Sequence, residues 1–408
     1  MVVLSRVIML LVPMARMRHA PCNRASVNWC DVFESNAAFG TSIEGQIEAS
    51  LSNMKDEDQG NSAWNFDCLT DEGTGDDDDD DDDWIENERF EQELLDELSY
   101  PAKALAEQSF LGPGEPLQVH KESQSAKALA AAMSEGGQGV VRLEHVLSKP
   151  LAAELREFAI SEMCQARHQA KQDGGQMIHR EVRLSSVLAP EVRWDVRLPM
   201  KGVVRRALRE LLAEDAPLGG AFAIACGGED AELWELSAMI SAPGAASQII
   251  HADCDGAPNP ALLYTCFVAL QPVTRALGPT RWLPTTHSDS AVHGAVNAHG
   301  DVTVLSDANG GAAPPLSYVG LLDTGDASLY DGRILHCGGT NSADGPDDGD
   351  GLRVLFYMTF RRPNVPNAES NPAARSILTR YDGRVTLGML RDAEHGFDGY
   401  FWGGLGSF

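Results

Sequence analysis

The sequence predicts an α+β protein in which helices come first and the core behind them is an antiparallel barrel or a double-sheet jelly roll. Apolar residues recur at helical spacing between residues 126 and 213, short apolar or alternating runs follow from 233 to 361, and Gly, Pro, Asn and Asp separate those runs. Helices followed by strands, rather than alternating with them, are typical of this class. The 408 residues suffice for one large domain or two ordinary ones.

The predicted elements of the globular part follow one another from residue 126. Helices are expected over 126–133, 150–169 and 201–213, with a short strand over 139–143. Pro150 favours a helix start at that point. The later runs predict strands over 233–240, 248–252, 262–270, 281–284, 301–305, 319–322, 327–330 and 352–361.

The segment from residue 31 to 125 is acidic and poor in periodic apolar positions. Residues 51–100 hold 20 acidic residues against Lys55 and Arg89, and an unbroken aspartate run fills 76–83. Such a run repels itself and stays solvated, so we expect this region to be largely disordered. A short amphipathic helix is expected over 84–98, where it would dock on the core or on a protein partner of unknown identity.

Residues 1–30 contain arginines and no acidic residue, a balance typical of organelle transit peptides. A secretory signal and an N-terminus without a targeting role are the alternatives, so the localisation stays open between cytoplasmic and organellar. The apolar run 7–15 is too short to span a bilayer and contains Pro13. We therefore expect no membrane span.

The formal net charge of −28 argues against a nucleic-acid partner, because phosphate contacts require clustered Lys and Arg. Most of that charge lies in residues 51–100. The eight cysteines form no CxxC pair and no repeating interval, which argues against a disulfide framework or a zinc ribbon.

Three His-x-Asp triplets begin at His251, His287 and His299. Alternate residues of a strand share a face, so an imidazole and a carboxylate at a strand end can bind one metal ion. His251 and Asp253 end one apolar run, and His336 ends another run far downstream. We call His251, Asp253 and His336 the triad. Two histidines and one carboxylate with other positions open suit non-heme Fe(II) and O₂ activation.

From about residue 126 to 363 the chain resembles the phytanoyl-CoA dioxygenase (PhyH) family of Fe(II)- and 2-oxoglutarate-dependent oxygenases. The resemblance rests on ordered motifs, which are His251-Ala-Asp253, Gly278-Pro-Thr-Arg-Trp-Leu-Pro-Thr-Thr-His287, Gly325-Asp326, Arg333-Ile-Leu-His336, Asn341-Ser342 and Arg353. It implies a cupin-like double-stranded β-helix with flanking N-terminal helices, and it puts His287 at a position that does not bind the metal.

The expected divisions of the chain are a targeting segment at 1–30, the acidic region at 31–125, a PhyH-like dioxygenase domain at 126–365, and a C-terminal extension at 366–408 that packs on the core or trails from it.

The resemblance also implies roles for the site residues. The triad would bind Fe(II) as the catalytic centre, and Arg353 would hold the distal carboxylate of 2-oxoglutarate. A guanidinium matches a carboxylate, and Arg353 opens an apolar strand in which an unpaired charge would be costly. Phe267 aligns with the family's aromatic residue beside the cosubstrate, and Gln248 is a further candidate that would face the pocket.

The sequence departs from the family pattern after the distal histidine. An apparent insertion at 343–351 lengthens the spacing before Arg353. If the insertion changes the strand register, Arg361 or Arg362 would bind the carboxylate instead of Arg353. A separate alternative is that Arg353 only forms an ion pair with the acidic insertion. Gly338 stands where some members carry a serine that reaches the cosubstrate.

Arg193, Asp195 and Arg197 alternate along one run and would share a face. They would contact an anionic substrate on that face. A solvated strand edge is the alternative.

Cys254 and Cys337 each follow a triad residue, and we expect both to be inert packing residues because strand neighbours point to opposite faces. His293 and His299 are expected in surface loops.

The resemblance implies a hydroxylase that couples decarboxylation of 2-oxoglutarate to succinate with oxidation of a small organic or lipid-like substrate by O₂, with ascorbate as the reductant in vitro. Related halogenases replace the carboxylate ligand with a small residue, so Asp253 favours hydroxylation. A catalytically silent binding module with the same fold is one alternative. A zinc hydrolase with the same ligands is another, although zinc hydrolysis has no need of Arg353 as a cosubstrate clamp.

Overall fold

The computed structural model describes part of the chain, namely residues 104, 107, 109–119, 125–134, 136–172, 184–185, 192–254, 262–299, 304–307, 315–344, 349–363 and 375–392. All of them belong to the unit Gly75–Phe408. The segment 1–30, the aspartate run 76–83 and the predicted helix at 84–98 lie outside the described residues. The division into domains stays a prediction.

Helices flank the strands on the N-terminal side and recur between and after them. The helices are α1 (Ala126–Met133), α2 (Lys149–Gln172), α3 (Gly202–Leu212), α4 (Pro217–Cys226), α5 (Ser290–His299), α6 (Val304–Asp307) and α7 (Leu387–Arg391). The three predicted helices are confirmed as α1, α2 and α3. Among the residues that the structure describes, no helix is both long enough and apolar enough to cross a membrane.

The strands form two β-sheets. They are β1 (Glu115–Pro116), β2 (Val140–Leu143), β3 (Leu184–Ser185), β4 (Arg193–Arg197), β5 (Glu232–Ser241), β6 (Leu263–Ala269), β7 (Thr280–Trp282), β8 (Tyr318–Val319), β9 (Ala327–Asp331), β10 (His336–Gly338) and β11 (Arg353–Arg361). The larger sheet has the order β2-β9-β6-β11-β5-β4-β3 and the smaller one β1-β8-β7-β10. Pairing is antiparallel except between β1 and β8. This mixture of helices and sheets agrees with the predicted α+β class, whereas the double-stranded β-helix stays a prediction.

β11 lies between β5 and β6 in the larger sheet, and all its residues but the last are buried. On one side Phe222 of α4 packs against Phe360, with ring centroids 4.7 Å apart. Because both sides are covered, the strand is a nearly continuous apolar run rather than an alternating one. We call the side of the sheet that carries Arg353 and Tyr357 the inner face.

α4 is a helix that its sequence did not lead us to predict. Gly219 and Gly220 lower its helix propensity. The start and stop signals are nevertheless present, because Pro217 lies at the start and Gly227 follows the end with a left-handed backbone. Burial of apolar side chains such as Phe222 against the sheet stabilises the helix despite the glycines.

The predicted strand at 301–305 is wrong in its described part, which is helical in α6. Val304 and Leu305 pack in one apolar cluster with Val296 of α5. This tertiary contact overrides the β propensity of a Val- and Thr-rich run, a propensity that always depends on context.

The expectation that His293 and His299 lie in surface loops is also wrong. Both belong to α5, and His293 is buried. The helix begins there because Asp289 caps it, with its Oδ1 accepting hydrogen bonds from the N–H groups of Ala291 and Val292, both at 3.1 Å.

Candidate metal centre

His251 and His336 form a pair across two neighbouring extended segments. The N–H of His251 donates to the carbonyl of His336 at 2.9 Å, and the N–H of His336 donates back at 2.8 Å. Mutual bonds of this kind put both side chains on one face, and the ring centroids lie 4.5 Å apart. Gln248 continues the pairing through its N–H, which donates to Gly338 at 2.8 Å. The predicted strand at 248–252 is therefore backbone paired alongside β10, with a single isolated bridge at His251.

Each imidazole of the triad is oriented by a backbone carbonyl two residues earlier. The Nδ1 of His251 lies 2.8 Å from the oxygen of Ile249, and the Nδ1 of His336 lies 2.9 Å from that of Ile334. Because a carbonyl can only accept, we assign the proton to Nδ1, which leaves the Nε2 lone pair for a metal ion. Burial, and then the neighbouring His336, lower the pKa of His251 to about 4, so this imidazole is neutral near pH 7, as a ligand must be.

Asp253 adds a carboxylate to the same group. Its Oδ1 lies 3.5 Å from the Nε2 of His336, and ligand atoms of the three triad residues all lie within 4.8 Å of one another. The hydroxyl of Tyr330 donates to Oδ2 of Asp253 at 2.9 Å. That bond orients the carboxylate and leaves Oδ1 toward the histidine.

The donor set fits a divalent metal ion. Two neutral imidazoles and one carboxylate are the ligands of the facial non-heme Fe(II) site, and zinc accepts the same set. His336 is buried, His251 is half-buried and Asp253 is exposed, so the group opens to solvent on the side of Asp253. In the described ranges no other three His, Cys, Asp or Glu side chains come together in this way.

Arg353 is buried at the start of β11 with 2% of its surface exposed. Its Nη2 donates to the hydroxyl of Ser241 at 3.2 Å and its Nη1 donates to the carbonyl of Gly278, while its Nε has no hydrogen-bond partner among the described residues. Gly278 has a φ of +66°, and a Cβ there would lie 2.5 Å from the carbonyl oxygen of Gly339, so glycine is required where this carbonyl meets the guanidinium. Burial, and then Arg193, lower the pKa of Arg353 to about 9.

Gln248 lies between the triad and Arg353. Its Oε1 accepts a hydrogen bond from the N–H of Gly338 at 2.9 Å. A Cβ on Gly338 would lie 2.6 Å from that oxygen and 3.6 Å from Nη2 of Arg353. The Gln248 side chain therefore fills the space that a serine at position 338 would enter, which gives a physical reason for the departure from the family pattern.

Phe267 is half-buried on the inner face, where β6 pairs with β11. Its ring centroid lies 5.5 Å from that of Tyr330 and 5.5 Å from that of Tyr357. Tyr330 in turn lies 5.1 Å from the ring of His336. One aromatic ring thus separates Phe267 from the triad.

The insertion at 343–351 leaves Arg353 at the start of β11. Asn341 donates from its Nδ2 to the carbonyls of Ser241 and Gly351, both at 2.9 Å. These bonds join the chain before the insertion, the chain after it and the end of β5. The register that pairs Arg353 with Ser241 is therefore maintained despite the added length.

The alternative partners proposed from the sequence are engaged elsewhere. Asp350 of the insertion pairs with Arg156 at 2.7 Å. Arg361 lies over the ring of Trp234, 4.8 Å from its centroid, and Arg362 donates to a carbonyl of α4. Among the described residues no carboxylate forms an ion pair with Arg353, whereas Asp347 and Asp348 of the insertion lie outside them, so for those two the ion-pair alternative stays a prediction.

The other two His-x-Asp triplets do not contribute to the triad. His287 is fully buried, and its Nε2 lies 3.0 Å from the carbonyl of Ser134. Asp289 caps α5 instead of binding a metal. The side chain of His299 lies outside the described residues.

Arg193 and Asp195 are buried on the inner face, and the solvated-edge alternative is wrong for them because β3 extends the sheet beyond β4. Asp195 accepts hydrogen bonds from Ser237 at 2.5 Å and from Tyr357 at 2.9 Å. Burial raises the pKa of Asp195.

Cys254 and Cys337 are buried in apolar clusters, as expected. Burial raises the pKa of each thiol to about 12, so both stay protonated and unreactive.

Sequence reasoning missed Tyr330 and Glu235 on the inner face. Glu235 accepts a hydrogen bond from Thr359 at 2.5 Å, and burial followed by the charge of Asp253 raises its pKa to about 8. Both residues stand in runs predicted as strands. Which face each one takes follows from the pairing register, which no local sequence signal gives.

No family model matches the chain, and no curated protein sequence matches it significantly. Among solved structures it is similar to SnoK, a non-heme alpha ketoglutarate dependent carbocyclase from nogalamycin biosynthesis, at 16% identity and a TM-score of 0.38 over 61% of this chain and 87% of that one. It is similar to the epimerase SnoN at 18% identity and a TM-score of 0.39 over 64% and 95%. AviO1 from Streptomyces viridochromogenes Tue57 matches at 16% identity and a TM-score of 0.38 over 61% and 100%. None of these similarities is close enough to identify a family.

Proposed function

We propose that the protein is an Fe(II)- and 2-oxoglutarate-dependent dioxygenase of the PhyH kind, built on a double-stranded β-helix, that hydroxylates a small organic or lipid-like substrate. One observation carries the proposal. Two imidazole nitrogens and a carboxylate oxygen lie within 4.8 Å of one another, and the buried guanidinium of Arg353 lies close to Gly338, two residues after His336. When bound, Fe(II) with 2-oxoglutarate and O₂ supplies decarboxylation to succinate and CO₂ coupled to hydroxylation of a C–H bond.

The residues of the chain would hold and orient these groups. His251 and His336 would bind the metal through Nε2, because their Nδ1 atoms face backbone carbonyls. Tyr330 would keep the Asp253 carboxylate turned toward the metal. A tightly oriented ligand set of this kind is what positions a reaction at a metal.

Arg353 at the start of β11 would hold the end of the cosubstrate that is far from the metal. Arg353 would bind its distal carboxylate through the unpaired Nε–H and a neighbouring Nη–H, a fork that matches a carboxylate. Gln248 would border this pocket beside Gly338, and Phe267 would line it from β6. A zinc hydrolase has no use for such a buried guanidinium.

The test is succinate formation from 2-oxoglutarate with Fe(II), ascorbate and O₂. We expect turnover by the wild type, even if slow without the substrate, and a loss of about 100-fold or more in Asp253→Ala, because removing a metal ligand exceeds the 10- to 100-fold cost of an outer-shell change. Asp289→Ala is the matched control from another His-x-Asp triplet. It should keep its rate and lose about 1 kcal/mol of stability through its lost helix cap.

Equal rates in the wild type and Asp253→Ala would contradict the proposal. Binding of 2-oxoglutarate without succinate under any condition would instead favour the silent binding module.

A further inference from the structure

Arg193, Ser241 and Arg353 form one row across three neighbouring strands. Ser241 of β5 pairs with Arg193 of β4 on one side and with Arg353 of β11 on the other. Residues directly opposite one another share a face, so both guanidinium groups lie on the inner face. Both donate to the hydroxyl of Ser241, the Nε of Arg193 at 3.4 Å and the Nη2 of Arg353 at 3.2 Å.

The two guanidinium groups are almost fully buried, with 1% of Arg193 and 2% of Arg353 exposed. Like charges that share one hydroxyl away from water repel each other, and Arg193 accordingly helps to lower the pKa of Arg353. Among the described residues no carboxylate pairs with Arg353, and its Nε–H has no acceptor. Burying a guanidinium costs free energy, and an opposite charge bound beside it offsets that cost.

We propose that Arg193 is a second guanidinium of the pocket for the distal carboxylate of 2-oxoglutarate, beside Arg353. This inference rests on the proposed function. Two guanidinium groups concentrate positive charge at the far end of the cosubstrate, so the pocket favours a dicarboxylate over an acid that ends in an uncharged group. Arg193 is thus a binding and specificity residue, not one that touches the reacting atoms.

A purely structural role for Arg193 makes a different prediction. Its Nη2 donates to the carbonyl of Ala246 at 2.6 Å, which ties down the segment that leads to His251. If this bond were its whole function, removing the side chain would disturb the metal ligands and weaken every metal-bound acid alike. The two roles therefore differ in which ligands are affected.

The experiment is a calorimetric titration of the full-length, Mn(II)-loaded protein with 2-oxoglutarate and, separately, with oxalate. Oxalate chelates a metal as a 2-oxo acid does but has no distal carboxylate. Arg193→Met and Arg193→Gln should weaken 2-oxoglutarate binding by about 10- to 100-fold, because a hydrogen bond to a charged group contributes about that much to affinity. Oxalate binding should stay unchanged. Arg193→Lys, which keeps the charge, should recover part of the affinity.

Arg206→Met is the control, because Arg206 is an exposed arginine of α3 that pairs with Glu154 and lies outside the row around Ser241. It should bind both acids like the wild type.

A parallel loss of 2-oxoglutarate and oxalate binding in the Arg193 variants would overturn the proposal. So would unchanged 2-oxoglutarate binding in those variants while Arg353→Met loses it, a result that leaves the proposed function intact. A wild type that binds neither acid would overturn both.

Discussion

Asp253 is the exposed member of the triad, and the hydroxyl of Tyr330 orients its carboxylate. Tyr330 donates to Oδ2 at 2.9 Å, so the oxygen nearer His336 is Oδ1. An exposed carboxylate without such a partner would sample several rotamers, and metal binding would have to select one of them. Under the proposed function, the hydroxyl would therefore contribute to metal affinity without touching the metal.

Replacing this hydroxyl tests its contribution. Tyr330→Phe should weaken metal binding by about 10- to 100-fold, as is usual when an outer-shell partner is removed, and we would measure it by titration with Mn(II). Tyr357→Phe is the control, because that hydroxyl bonds to Asp195 on the same face. Equal metal affinity in the two variants would show that the Tyr330 bond is irrelevant to the triad.

Among the elements, the ends of β5 and β11 decide where the arginine of the pocket lies. Asn341 bonds to Ser241 and Gly351, and its Oδ1 also accepts from the N–H of Ala343 at 3.1 Å. One buried amide thus joins both ends of the insertion to the neighbouring strand. Asp350 of the insertion adds a further bond just before β11, because its Oδ1 accepts a hydrogen bond from the N–H of Leu352 at 3.1 Å.

Removing the side-chain amide of Asn341 should therefore lower the stability of the fold. Asn341→Ala breaks three hydrogen bonds of a buried side chain, and we expect the free energy of unfolding to fall by about 2–4 kcal/mol in urea titrations. Binding of 2-oxoglutarate should weaken as well, because Arg353 loses its fixed register. Ser342→Ala, at the exposed neighbouring position, should change neither quantity by much. A similar stability for the two variants would mean that the insertion is held by other contacts.

Over the molecule as a whole, the charges of the inner face are ordered along the strands. Arg193 and Arg353 lie together at the Ser241 end, while Asp195 and Glu235 lie further along the same strands. Burial raises the pKa of Asp195, and burial with the charge of Asp253 raises that of Glu235 to about 8. A raised carboxyl pKa stabilises the fold at low pH, and that contribution is lost as the pH rises through the folded-state value.

Glu235→Gln makes this pH dependence measurable. In metal-free protein the stability of the wild type should decline between about pH 4.5, near the value for an unfolded glutamate, and about pH 8, and the variant should lack the part of this decline that comes from Glu235. The free energy of unfolding of the variant, relative to that of the wild type, should therefore rise with pH. Urea titrations at pH 5 and pH 9 would measure this difference. Glu154→Gln, at an exposed position, is the control. Parallel profiles for the wild type and Glu235→Gln would refute the raised pKa.

Site residues and helices could be predicted from the sequence where a short local motif or an apolar periodicity marks them. The triplet of His251 and Asp253, the distal His336 and the later Arg353 stand in short motifs, and the helices α1 to α3 have apolar periodicity. Tyr330 was not predictable, because its partner Asp253 is distant in the chain and reaches it through strand pairing. Arg193 was predicted as one of an alternating charged row, but its burial was not, since that depends on β3 covering the edge of β4.

The uneven exposure of the three ligands has a practical consequence. Asp253 is exposed to water and the imidazole of His336 is buried, so a metal ion bound by the triad would exchange with the medium on the side of Asp253. Nitrogen and oxygen donors hold zinc, nickel or copper more tightly than ferrous iron by the Irving–Williams order. Under the proposed function, protein purified from cells would carry such competing ions in place of Fe(II), and anaerobic reconstitution with Fe(II) after chelation would be the starting point for the succinate assay.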